Sequence, residues 1–206
     1  FLPLNNIQPT QKILAGHYKG LAFFDFAGNR FTEAGNITGF TESSRYITAD
    51  NDGNYWVSHP YHGIYRISKN EYGSFTEKMY THRQGLPSTL NNHIYKIKNE
   101  VLAATEKGIY KFNPQKDYFE PHTAYHKIFG DLSIRYLKED PSGNTWFIHE
   151  KQLGLIDYSG RDPSLVFLPE LDRKMLSGFE FIYPVDASNT FLGGEKGFYH
   201  INFEKY

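Results

Sequence analysis

The feature that most constrains this chain is a unit that recurs every 43 to 46 residues. Residues 50–56 and 140–146 both read D-x-x-G-N-x-W, 90 residues apart, which is two periods of 45. A weaker copy, Asp186-Ala187-Ser188-Asn189-Thr190-Phe191, starts 46 residues after the second, one residue shorter and with Phe in place of Trp. A second landmark is a glycine that opens a short β-type run, at Gly20, Gly63, Gly108, Gly154 and Gly197, with spacings of 43, 45, 46 and 43 residues. The first and fourth residues after each glycine are apolar, whereas the third is Arg, Lys, Asp or His in four of the five runs. Position-by-position agreement at a fixed period selects a repeat architecture before any single strand is assigned.

Within a unit the chain divides into four short segments, as at 45–50, 55–58, 63–68 and 74–81, parted by clusters of Gly, Asn, Asp, Ser or Pro. Those are strand and turn signals. An Asp side chain accepts hydrogen bonds from local backbone amides, and Gly and Asn tolerate positive φ, so D-x-x-G-N specifies a tight turn through Gly53 and Gly143. Trp56 and Trp146, which follow those turns, are candidates for packing between neighbouring sheets. Aromatic residues make up 17% of the chain, which suits half-buried pleated surfaces. The 3.6-residue apolar period of an α-solenoid is missing. The pattern therefore predicts an all-β protein: a β-propeller of five repeats of about 44 residues with four-stranded blades, either a small ring or a fragment of a larger propeller. The repeats run approximately over 1–40, 41–88, 89–131, 132–176 and 177–206, as one propeller region with the last repeat incomplete. Residues 1–10 read as a first strand.

The D-x-x-G-N-x-W turn, the Gly63-Ile64-Tyr65-Arg66 segment and the later Gly85-Leu86-Pro87-Ser88 resemble the two-component regulator propeller repeat. Strong versions occupy 45–88 and 135–158; the units beginning near 94 and 181 lack the Trp, and the first unit lacks the D-x-x-G-N turn. The resemblance implies a propeller from the sensor region of a Bacteroidetes hybrid two-component system or a related membrane-bound transcription regulator. It further implies a periplasmic location, a membrane-anchored parent carrying kinase or DNA-binding parts, and responsiveness to glycans or their breakdown products. The start, Phe1-Leu2-Pro3-Leu4, has neither an initiator Met nor a signal-peptide profile, so the chain reads as a processed or excised piece.

Composition narrows the chemistry. With 22 Lys plus Arg against 23 Asp plus Glu there is no field to attract phosphate backbones, and no direct nucleic-acid binding is expected. The absence of cysteine removes disulfides, thiolate nucleophiles and Cys-ligated zinc. No cofactor is implied. Ser43, Ser44 and Ser88 lack the context of an activated nucleophile, and no paired-carboxylate site stands out among the scattered Asp and Glu residues.

In a four-stranded blade the loop joining the second and third strands opens on the same face as the link to the next blade. Those loops carry His17 and Tyr18; His59, Tyr61 and His62; Glu106 and Lys107; His149, Glu150 and Lys151; and Glu195 and Lys196. Such side chains can stack on and hydrogen-bond to an oligosaccharide or other small ligand, meet a neighbouring domain of the parent protein, or simply be solvated. His59, His62 and His149 suggest no recognised metal-ligand set, since no carboxylate accompanies them at helical or strand spacing. The reading is a non-catalytic extracytoplasmic sensor module. Its alternatives are a propeller lyase or hydrolase acting at the channel mouth, and a protein-interaction scaffold. Exposed strand edges in an open arrangement would also favour a homodimer.

Overall fold

In the computed structural model, which describes residues 1–4 and 11–203, a self-contained turn joins the first two strands of three of the five sheets. Asp50 Oδ1 accepts the backbone N–H groups of Asp52 (3.0 Å) and Asn54 (2.9 Å). Its Oδ2 accepts from Asn54 Nδ2 (2.9 Å) and from the Trp56 indole N–H (2.8 Å). Gly53 supplies the positive φ of +80° that the turn requires. The Asp140 copy repeats the backbone part, accepting from Ser142 and Asn144 at 2.9 Å each, with Gly143 at φ +82°. Asp186 accepts from Ser188 and Asn189 at 2.8 Å each. Because these bonds span four residues or fewer on the backbone, each turn sets the register of its hairpin without help from distant contacts.

The strands that follow form five antiparallel meanders. The first holds β1 (Leu2–Pro3), β2 (Lys12–His17), β3 (Gly20–Ala27) and β4 (Arg30–Asn36). The second holds β5 (Tyr46–Ala49), β6 (Tyr55–His59), β7 (Gly63–Lys69) and β8 (Phe75–Tyr80). The third holds β9 (His93–Ile97), β10 (Glu100–Thr105), β11 (Gly108–Asn113) and β12 (Tyr118–Pro121). The fourth holds β13 (Ile134–Glu139), β14 (Thr145–His149), β15 (Gln152–Asp157) and β16 (Ser164–Phe167). The last, three-stranded among the described residues, holds β17 (Ile182–Pro184), β18 (Asn189–Gly194) and β19 (Gly197–Asn202). Every strand pairs with its neighbour in sequence, the up-and-down order of a propeller blade. Most of the first strand expected over 1–10 lies outside the described residues; Leu2–Pro3 pairs with β2 at Leu14 and Ile13.

The chain forms two compact units, one of residues 1–103 with 112–120, the other of 104–111 with 121–206, the division running through the third sheet. In the first unit, Trp56 is fully buried against Tyr80, Phe112 and Phe119, with ring centroids 5.3, 4.6 and 5.8 Å away. The Arg66 guanidinium lies over Trp56, Tyr80 and Phe112 at 5.6 to 5.8 Å and pairs with Asp117 at 3.5 Å. Asp117 also accepts from the Tyr80 hydroxyl (2.6 Å) and from Lys78. A second core joins Leu14, Leu21, Ile37 and Phe40 to Val57, Tyr65 and Ile67. In the second unit, Trp146 is fully buried beside Phe203, and Phe147 packs on Phe129 and Phe167. Phe191, in the weaker copy of the turn, is 39% exposed and stacks on His200.

Two local features differ from the sequence reading. Residues Thr123–Phe129 form a helix, α1, whose N-terminal amide at Tyr125 is capped by His122 Nδ1 and whose i, i+4 pair Tyr125 and Phe129 is buried. A seven-residue helix offers only one such pair, too little periodicity to register as helical. The fourth landmark glycine is also out of step. Pairing of His17 with Gly20, His59 with Gly63, His149 with Gln152 and Gly194 with Gly197 shows that Gln152, not Gly154, occupies the hairpin position. There the positive φ falls on Glu150, at +53°. Gly154 lies inside β15, where a Cβ would collide with the Phe147 ring.

Candidate functional site

The five loops expected to display functional side chains are the connections between the second and third strands of the sheets, at 18–19, 60–62, 106–107, 150–151 and 195–196. The residue ending the second strand has a local task in three of them. His17 Nδ1 accepts the Lys19 N–H (3.2 Å), His59 Nδ1 accepts those of Tyr61 and His62 (3.0 Å each), and Thr105 Oγ1 accepts that of Lys107 (3.1 Å). These side chains close the turn much as an Asx side chain does. His149 differs, its Nδ1 donating to the Ser133 carbonyl at 2.8 Å. The residues beyond them point outward: Tyr18 is 89% exposed and Tyr61 69%, and Glu106, Lys107, Glu150, Lys151, Glu195 and Lys196 are all exposed.

In the first unit, the link between β4 and β5 brings Glu42 to the 60–62 loop. Its Oε2 lies 3.4 Å from His59 Nε2 and 3.6 Å from His62 Nδ1, and the two imidazoles stack 4.1 Å apart at 4°. Glu42 was not among the sequence candidates. Its partners are 17 and 20 residues away, and only the shared face of link and hairpin loop signals the meeting.

Three such groups within 4.8 Å of one another have the composition of a metal site, and ligands about 2.0–2.1 Å from zinc in a tetrahedron sit roughly 3.3 Å apart. Two observations argue against that use. His59 Nδ1 accepts two backbone N–H groups, so in the neutral ring the proton is on Nε2, the atom facing Glu42. The parallel rings also direct their in-plane lone pairs along parallel planes rather than toward one ion. The arrangement is a carboxylate within ion-pair distance of two stacked imidazoles. His149 and Glu150 likewise form no joint site, the first bonded to Ser133 and the second carrying the turn.

Burial lowers the pKa of His59, the neighbouring His62 lowers it further, and Glu42 acts in the opposite sense. Burial together with Glu42 and Glu77 pushes the Tyr65 phenol up to about 12. For His59 the linkage has one sign. Well above the ordinary histidine value of about 6.5 the ring is neutral in both states; as pH falls through it, the unfolded chain takes up the proton first, so stability is lost on acidification. Thermal unfolding between about pH 7 and pH 5 is expected to fall less steeply in His59→Asn, whose Oδ1 keeps the turn acceptor without a titrating ring. Parallel slopes in the two proteins would remove His59 as the source.

In the second unit, the link between β16 and β17 packs on two hairpin loops. Arg173 N–H donates to the Lys151 carbonyl at 3.2 Å, and the Lys174 carbonyl approaches so closely that a Cβ on Gly194 would lie 3.0 Å from it. The fourth and fifth loops thus share a common neighbour, residues 173–174.

No family model and no curated protein matches the chain. Solved structures do. The extracellular domain designated as hybrid two-component system BT4673 from B. thetaiotaomicron is similar over 97% of this chain, at 18% identity and a TM-score of 0.63. That of BT3049 from the same organism is similar over 94%, at 19% identity and a TM-score of 0.60. The chain spans only 28% and 25% of those two structures. Virginiamycin B lyase from Staphylococcus aureus is also similar, over 96% of this chain and 72% of the lyase, at 12% identity and a TM-score of 0.50. The first two are of the kind that the repeat motif implied. At these identities the likeness is one of fold.

Proposed function

We propose that this chain is a non-catalytic ligand-binding propeller region of an extracytoplasmic sensor, working in a larger signalling or transcription-regulating protein and responsive to a glycan. The observation that carries the reading is the set of exposed Tyr, His, Glu and Lys side chains on the second-to-third-strand loops, three of them held on turns that their own strand-end residues close. Hydrogen-bonded hairpins that present exposed polar tips suit recognition. The similarity to extracellular domains designated as hybrid two-component systems supports the same reading. Among the described residues no helix is long and apolar enough to cross a membrane, so in this proposal any anchor belongs to another part of the parent protein.

A screen of oligosaccharides by thermal shift tests it. A ligand at about 100 times its dissociation constant stabilises the folded state by about 2.7 kcal/mol, a displacement easily measured. Tyr61→Ala is expected to weaken a hit on the loops of the first unit, and Lys107→Ala one on the loops of the second, each only partially, because each loop supplies one or two groups. Conversion of the saccharide to a product would replace the sensor with an enzyme. Binding of a neighbouring parent domain to these loops, with no response to any glycan, would replace it with a scaffold.

A further inference from the structure

The last sheet has one packed side and one bare side. Side chains alternate along a strand, and directly paired residues share a side. Ile182, Thr190, Leu192 and Ile201 are buried on the packed side. The other side carries two cross-strand rows, one of Tyr183 with Phe191 and His200, the other of Phe181 with Gly193 and Phe198. Phe198 is 78% exposed, and Phe181 and Tyr183 are more than half exposed. Within these rows Phe181 stacks on Tyr183 and Phe191 on His200, at centroid distances of 6.3 and 4.9 Å. The corresponding rows of the second sheet, Thr48 with Trp56 and Arg66, and Tyr46 with Ser58 and Ile64, lie beneath the third sheet. There Trp56 meets Phe112 and Phe119, Tyr46 meets His93 and Tyr95, and Ser58 Oγ accepts the Ile94 N–H at 2.7 Å. This side of the repeat is one that packs on another sheet.

We propose that the bare side of the last sheet joins two copies of this chain in an isologous dimer. Charge permits it. In the second sheet Arg66 is answered by Asp117 at 3.5 Å, but the last sheet has His200 at that place, with its Nε2 2.9 Å from Asn189 Oδ1. Neither row of the last sheet holds an Asp, Glu, Lys or Arg, so the face calls for no oppositely charged partner and does not repel its own copy. Shape permits it too. Phe198 projects beside Gly193, above which the space is open but for Phe181. A two-fold axis running along the strands between β18 and β19 lays each copy's Phe198 over the other's Gly193, and each Phe191 over the other's His200. Phe181, Tyr183, Phe191 and Phe198, flanked by Phe179 and Val185, present roughly 600–700 Å² of apolar surface, at about 200 Å² for a wholly exposed ring. That exceeds the roughly 300–600 Å² of the largest patch on an ordinary monomer. Two such faces together bury about 1,200–1,400 Å², within the range of roughly 1,200–2,000 Å² for specific, stable interfaces.

Sedimentation of the whole chain from low micromolar to submillimolar concentration tests it. The wild type is expected to show a monomer–dimer equilibrium that stops at the dimer. Phe198→Asp, which sets a carboxylate from each copy into the apolar contact, is expected to raise the dimer dissociation constant by at least about 30-fold, the loss of a central aromatic anchor. Phe181→Lys is expected to do the same and decides the matter if Phe198→Asp does not fold. Tyr72→Asp, on an exposed turn of the first unit, is expected to leave the equilibrium unchanged. A dimer that survives both Phe198→Asp and Phe181→Lys overturns the assignment and moves the contact elsewhere, strand edges included. A wild type that is monomeric at every concentration overturns the dimer. So does association that runs past the dimer into open-ended oligomers, because one partner uses up an isologous face. A monomeric parent protein with Phe198 inaccessible would give the face to another sheet of the same polypeptide, and the proposal would fall.

Discussion

Replacing Trp56 with alanine is expected to lower the free energy of unfolding by about 3–5 kcal/mol, the range for truncating a fully buried Trp. The cavity would open among Tyr80, Phe112 and Phe119, and Arg66 would lose one of the rings beneath it. Trp146→Ala is expected to fall in the same range, since that side chain is equally buried. Phenylalanine separates the two. The Trp56 indole N–H donates to Asp50, whereas the Trp146 N–H is buried without a partner. Trp56→Phe therefore sacrifices a bond to a charged group, worth about 1.5–3 kcal/mol, while Trp146→Phe removes an orphan donor. Urea unfolding of the four variants gives the comparison. Equal losses for the two Phe variants would mean that the Asp50 bond adds nothing.

Gly63→Ala is expected to destabilise by about 3 kcal/mol or more, and Gly53→Ala by about 1–2 kcal/mol. Both residues have positive φ, +86° and +80°, where any Cβ is strained. Gly53 has open space around it, so its penalty stops there. At Gly63 a Cβ would run into the backbone carbonyl of Tyr80, on the strand that must pair with β7. Chemical denaturation of the two variants measures the difference. A Gly63→Ala protein as stable as Gly53→Ala would show that β8 can move aside freely.

The repeat and its hairpins were legible because their determinants are local. Asp50, Gly53 and Trp56 act within seven residues, and Asp140 and Gly143 announce the same turn 90 residues later. Legibility failed where a residue answers to a distant neighbour. Gly154 looked like the hairpin glycine, but its lack of a side chain serves the Phe147 ring across the strand pair. The loop residues at 17–19, 59–62, 105–107, 149–152 and 194–196 could be placed on one type of connection from spacing alone. That His17, His59 and Thr105 also close those turns could not, since it depends on rotamers. Glu42 escaped because the carboxylates are scattered along the sequence, and it reaches its loop through the link between sheets.

The sequential order of the strands has a kinetic consequence. In the second sheet all four strands lie within residues 46–80, each hydrogen-bonded to the one just before it. Few pairings wait for a remote segment, so chain closure takes little from the entropy of long loops, and the contact order is low for an all-β protein. On the ribosome, such a sheet has its full complement of strands as soon as its own last residues emerge. The nascent chain can then mature sheet by sheet, and the aromatic face around Trp56 waits only for the strands of the next sheet that carry Phe112 and Phe119 rather than for the far end of the polypeptide.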